Sequence, residues 1–240
     1  MQNHAGALNT SPHDAQSIAK RSLALSAVVC RVNLERFAGQ REPEALRQQV
    51  LEWVDKLELW DDLEPTERRT LQAALGSLDY SVVLRSSWHV EGLAILSWSL
   101  KYSKFPPLDR KVDPHEVTDS LWFLNDDAQD IISTAELRPT VQIDAARELL
   151  YAIHVRVRDY NRNKNKVYFP DYIEESWLTA LKIDRAQIFA QDDLAICGKT
   201  FDMVSEEQLH EFECIINERH RAIIWLTEEY PSYSGTPVDT

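Results

Sequence analysis

Residues 205–226 read SEEQLHEFECIINERHRAIIWL, and the fold turns on this stretch. Ser205 and Gln208 have the types and spacing of a capping box, in which the hydroxyl accepts a backbone N–H and the Gln side chain reaches back to the backbone of Ser205. Behind them Leu209, Phe212, Ile216, Ile223 and Leu226 recur at helical spacing, so they share one face of a helix and would be scattered over both faces of a strand. The helix ends where Tyr230-Pro231 interrupts it.

The same grammar runs upstream. Ile18, Leu25, Val29 and Val32 mark a first helix from Asp14 to about Phe37, stopped by Gly39. Pro43, at a first helical position, leads Leu46, Val50, Trp53 and Leu57 into a second that ends near Trp60. Pro65 and Glu67 open a third carrying Leu71, Ala74, Leu75 and Leu78, and a more apolar fourth spans about Ser81 to Tyr102, closed by Phe105-Pro106-Pro107. Asp113-Pro114-His115-Glu116 starts a short helix through Trp122, and Ala128 to Ala135 forms another. Ile143, Ala146, Leu150, Ile153 and Val157 mark a long helix that frays into the basic loop Asn161 to Lys166. Pro170 to Leu181 reads as a further helix with Ile173, Trp177 and Leu181 inward. Strand character is confined to stretches such as Lys166 to Phe169 and Ala186 to Phe189. The expected architecture is a single all-α domain of about seven to nine helices over residues 15–240, behind a flexible polar leader at 1–14.

Composition agrees. The chain of 240 residues is 44% hydrophobic and 27% charged, which is globular and neither disordered nor fibrous. It holds 6 glycines where about 7% is ordinary, leaving little material for hairpin-rich folds or glycine-rich phosphate cradles. The net charge of −13 disfavours nucleic acid and anionic membrane as partners and suits a basic protein partner, although acidity for solubility alone accounts for many such chains. Cys30, Cys197 and Cys214 match neither a disulfide framework nor a zinc spacing and read as small buried hydrophobes. The leader lacks signal-peptide character. The longest near-apolar stretch, Leu23 to Cys30, is far below the ~18–20 residues of a bilayer span, so a cytoplasmic protein is expected.

Known catalytic motifs fail. Cys197-Gly198-Lys199-Thr200 resembles the end of a P-loop, but Asp193 stands where the first glycine belongs, so Gly198 reads as a turn residue. His115-Glu116 and His210-Glu211 lack the second His of a zincin, and no metal or cofactor is expected. What remains is a set of ionisable residues within apolar helices. Trp88 and Glu91 share a face with Ile95 and Trp98, which points Glu91 inward; its candidate partners are Arg138, Arg158 and Arg219. Arg147, Tyr151, His154 and Arg158 form a polar stripe on the long helix, and Glu218-Arg219-His220-Arg221 precedes the apolar end of the last one. These groups serve as a helix-tying ion-pair network, as a polar pocket using Glu91 with His154 or His220 as acid and base, or as groups reaching solvent; the residues leave the three open.

Four places carry a family resemblance: Arg21-Ser22-Leu23-Ala24-Leu25; Trp88-x-x-Glu91 with Leu96-x-Trp98-x-Leu100; Leu137-Arg138 with Ile143; and Glu218-Arg219-His220-x-Ala222-x-x-Trp225-Leu226 ahead of a tail ending Thr236-x-x-Asp239-Thr240. The chain resembles the bacterial domain-of-unknown-function 4272 family. It departs from that pattern at His89, often Arg there, and at Tyr233, commonly Trp. The resemblance implies no activity, but it implies a role for the tail, which composition alone would leave frayed. Tyr230 and Tyr233 are expected to pack on the helical body, with Asp239 accepting from a helix N-terminus, Arg21 or Arg138, and Thr240 ending the docked segment. Two functions follow as expectations. One is a regulatory or antidote-like binding protein covering a basic partner; the other is an enzyme working where Glu91, His154 and His220 converge. The oligomeric state is not legible.

Overall fold

The computed structural model describes residues 12–238, so the expected roles of Asp239 and Thr240, and residues 1–11 of the expected leader, lie outside the described residues. The all-α expectation holds. The helices are α1 (Ala15–Leu34), α2 (Arg41–Lys56), α3 (Pro65–Gln72), α4 (Tyr80–Ser87), α5 (His89–Ser99), α6 (Pro114–Ser120), α7 (Ala128–Ser133), α8 (Thr140–Asn163), α9 (Glu175–Leu181) and α10 (Glu206–Thr227). Because α4 and α5 meet at Trp88, itself in right-handed helical backbone, they form one bent rod, giving nine rods among the described residues.

The rods stack in a simple order. Every residue of α5 is buried, so this helix has no solvent face; α1 packs along one flank and α10 along another. Outside α1 lie α2, α3, α4 and α7, while α8 covers α10 and α9 covers α8. The helix starts behave as read: Asp14 accepts from Ser17 N at 2.7 Å, Asp113 from His115 N at 2.8 Å, and Ser205 with Gln208 closes a capping box.

Several local expectations need correction. Pro43 is the third residue of α2, not the first. The third helix stops at Gln72, leaving Ala74, Leu75 and Leu78 in a loop. The reason is carbonyl capture: Arg31 Nη2 donates to Ala73 and Ala74, Arg47 donates to Gln72 and Ala73, and Gly76 turns the chain at φ +80°. Lys166 to Phe169 is not a strand. The small hairpin instead pairs β1 (Phe189–Ala190) with β2 (Asp193–Leu194) through Gln191 and Asp192, both at positive φ as a tight two-residue turn requires. Gly198 is a turn residue at φ +71°, as read. Cys197 is exposed rather than buried, and Cys30 and Cys214 are half-buried.

Both ends of the described chain converge on Trp225. The ring of His13, inside the expected leader, stacks on it at 4.1 Å, and Tyr233 meets it edge-on at 5.9 Å. Tyr233 is 1% exposed, Arg21 Cζ lies 4.8 Å from its ring centroid, and the neighbouring Ser234 N donates to Glu64 at 2.9 Å. Its ring enters where α5 lacks a side chain: a Cβ on Gly92 would stand 1.8 Å from Tyr233 Oη and 3.3 Å from the Glu218 carbonyl. Gly92→Ala should therefore undock the tail. Alanine gains about 1 kcal/mol in intrinsic helix propensity, yet overpacking costs about 1–3 kcal/mol. A lower melting temperature with faster proteolysis after Tyr230 is the expected outcome, measured by calorimetry and limited digestion.

Candidate functional site

Glu91 and Arg219 face each other across the α5–α10 seam, and both side chains are 0% exposed. Glu91 Oε2 accepts from Arg219 Nε at 3.0 Å and Nη2 at 2.6 Å, while Oε1 accepts from Val112 N at 3.0 Å. Arg219 also donates to loop carbonyls, those of Pro107 and, at 3.0 Å, Arg110. Every contact of the pair thus holds either the other helix or the loop 107–112. Burial raises the Glu91 carboxyl above its ordinary value and lowers Arg219, each outweighing the attraction of the partner.

The other residues singled out by sequence go to different places. Arg138 serves the end of α5, donating from Nε to the Trp98 carbonyl at 2.6 Å and from Nη2 to Ser103 at 2.9 Å. Arg158 is half-buried on α8. Trp88 sits at the α4–α5 bend under Lys111, whose Nζ is 4.3 Å from its ring centroid. Glu218 pairs with Arg221. It belongs to a buried polar group that sequence reading did not assemble: His89 feels the charges of Glu218, Glu67, Arg21 and Arg221, and the Tyr233 ring meets it edge-on at 6.4 Å. Arg21, one expected partner of Asp239, is engaged by Glu67 at 2.6 and 2.7 Å. Burial pushes the Glu67 carboxyl up, but the charge and hydrogen bonds of Arg21 outweigh it and hold it below its ordinary value.

His154 and His220 meet Nδ1 to Nδ1 at 2.8 Å, a contact that needs one ring to donate and the other to accept. Both are buried between α8 and α10, and His220 is one helical step of about 100° from Arg219. His220 forms the floor of a cleft of about 410 Å³ with Arg147, Tyr151, Glu228 and Tyr230, and Glu91 takes no part in it. Glu91, His154 and His220 therefore do not converge in one pocket. Burial, and then the charge of His154, hold His220 down to about 3, which leaves it neutral at physiological pH.

The solvent-facing feature of this side is apolar. A groove of about 400 Å³ runs between α8 and α9, walled by Tyr151, Ala152, Val155, Phe169, Tyr172 and Trp177 and edged by Arg156 and by Glu148 and Asp159, which pair with Arg147 and Arg156. Tyr172 is 58% exposed and Tyr151 46%. Sequence reading aimed Trp177 inward and overlooked Phe169 and Tyr172. The usable signal was the density of aromatic residues from Tyr168 to Trp177 in an otherwise polar segment. Among the described residues no three His, Cys, Asp or Glu side chains gather to hold a metal ion, and no helix is long and apolar enough to cross a membrane.

The family model described as a domain of unknown function (DUF4272) matches residues 6–173, well over half of the chain. The chain belongs to this family. The match to DUF4272 takes in Glu91 and the first wall of the groove and ends before α9 and α10. Comparison with curated proteins and with solved structures found no match.

Two measurements test this geometry. Glu91→Gln leaves Arg219 charged and enclosed without a counter-ion, so stability should drop by about 3–5 kcal/mol and the melting temperature by roughly 6–20 °C. Acid should also destabilise the fold through His220. Its folded value near 3 lies below the ordinary ~6.5, so between the two the unfolded chain binds a proton that the folded chain refuses, and stability falls as pH drops. Chemical denaturation at pH 7 and pH 5 should show a loss to which His220 contributes about 2 kcal/mol, the part that His220→Gln removes, while His89 and His13, also lowered by burial, contribute to what is left.

Proposed function

We propose that the protein is a regulatory, antidote-like binding domain, and that its partner is a basic protein docking on the α8–α9 groove. The observation that carries this reading is the groove itself, an apolar aromatic surface open to solvent. A chain of net charge −13 attracts a basic partner at long range, while Tyr151, Tyr172 and Trp177 supply the desolvated contacts on which protein interfaces mostly depend. The enzyme alternative has less to stand on. Glu91 has both oxygens occupied, and His220 is neutral, buried and remote from it.

The test is binding with a defined partner. Affinity capture from the native host should yield a protein of basic pI, which is then purified and titrated calorimetrically. Tyr172→Ser and Tyr151→Ser, both at exposed positions, should weaken its binding at least tenfold with little change in the melting temperature, a loss of about 1.4 kcal/mol or more. Affinity should also fall as salt rises. Capture of no basic protein, or equal affinity for the variants, would overturn the reading.

A further inference from the structure

A second cavity lies elsewhere, about 630 Å³ between the loop that follows α5 and the segment that follows α9. In an acidic protein its charge is inverted. Lys104, Arg110, Arg138 and Lys182 line it against the single carboxylate of Asp109. Among the described residues none of the four cations makes an ion pair, although most arginines of this chain do. The charge of Asp109 acts instead on Arg219 and on the Cys197 thiol.

Arg138 is the informative member. It is half-buried, fixed by the carbonyls of Trp98 and Ser103, and lies 5.3 Å over the Trp98 ring. Hydrogen bonds to neutral carbonyls orient a guanidinium without neutralising it, so this cation is held in place with its charge uncompensated. The walls around it are apolar: Phe105, which meets Trp98 edge-on at 5.1 Å, with Pro106 and Leu181. The volume falls within the ~300–1,000 Å³ of ordinary small-ligand sites.

We propose that this cavity binds a small organic phosphate, with the phosphate oxygens on Arg138, Lys104, Arg110 and Lys182 and the apolar body against Phe105 and Leu181. A guanidinium fork surrounded by further cations suits a tetrahedral group carrying about two charges better than a lone carboxylate. This site is separate from the groove assigned to a protein partner and stands independently of that assignment.

The experiment is calorimetric titration of the full chain with ADP, inorganic pyrophosphate and citrate as probes. Saturable binding of ADP or pyrophosphate is expected, weakening with added salt, tighter than citrate, and reduced at least tenfold by Arg138→Gln. Because Arg138 also holds the end of α5, the exposed Lys182→Gln and Lys104→Gln provide variants that remove a charge without adding one at the end of α9, and each should reduce affinity several-fold at a nearly unchanged melting temperature. Arg138→Lys, keeping the charge, should retain more affinity than Arg138→Gln. Absence of saturable binding by both phosphate probes, citrate binding as tightly as they do, or unchanged affinity in the Lys182 and Lys104 variants would each overturn the proposal.

Discussion

The ion pair of Glu91 and Arg219 sets the conditions for the rest of the molecule. Two full charges are removed from water at the seam of two central helices, and desolvation of that kind is not recovered by attraction between the partners alone. It is tolerable here because both carboxylate oxygens and four of the five guanidinium N–H groups are engaged, with Val112 donating to the carboxylate and the Pro107 and Arg110 carbonyls accepting from the guanidinium. Register follows from this. Were α10 displaced by one turn along α5, both charges would meet apolar neighbours, and the displaced arrangement would carry the whole penalty. The pair therefore selects one alignment of the two helices and one path for loop 107–112, even where an apolar pair of equal volume would give comparable stability.

Arginine serves the same purpose in other loops. Arg31 collects the carbonyls that end α3, Arg47 shares them, Arg156 joins the Asn165 carbonyl to a two-pronged contact with Asp193 in the hairpin, and Arg138 takes those at the end of α5. A chain with 6 glycines has few positions for glycine-based helix caps, so helix ends and irregular segments must find their hydrogen bonds in side chains. Long arginines rooted in the core supply them. The same economy explains the left-handed residues Lys164 and Lys182, which end α8 and α9 where glycine is the usual choice.

Legibility in the sequence divides along this line. Helix starts were readable because caps such as Asp14, Asp113 and Ser205 act within three residues of themselves, and the apolar faces were readable from period alone. The end of α3 was not, because the groups that terminate it, Arg31 and Arg47, come from other helices. Glu91 could be turned inward from its spacing, yet three arginines remained eligible, and only the crossing of α5 and α10 selects Arg219. The placement of His154 against His220 shows the opposite limit. The two rings do touch, but Glu91, expected to join them, faces a different side of α10. The groove and the cationic cavity were illegible for a related reason. The cavity is assembled from segments more than twenty residues apart and the groove from the two sides of the loop that follows α8, and neither Tyr172 nor Arg138 carries a periodic signal of its own.

The two surfaces are built on common parts. Trp177 walls the groove, while Leu181 and the residue that caps the same helix, Lys182, wall the cavity, so α9 borders both over seven residues. A helix of two turns transmits displacement as a unit, and its hold on the body is α8, which packs beneath it. The opposite wall of the cavity is loop 107–112, held by Glu91 and Arg219 and with little freedom to adjust. Occupancy of the cavity would thus be accommodated on the α9 side, the side that also shapes the groove. Any free energy coupling the two occupants must then act equally in both directions, since a ligand that tightens α9 for a partner is itself tightened by that partner.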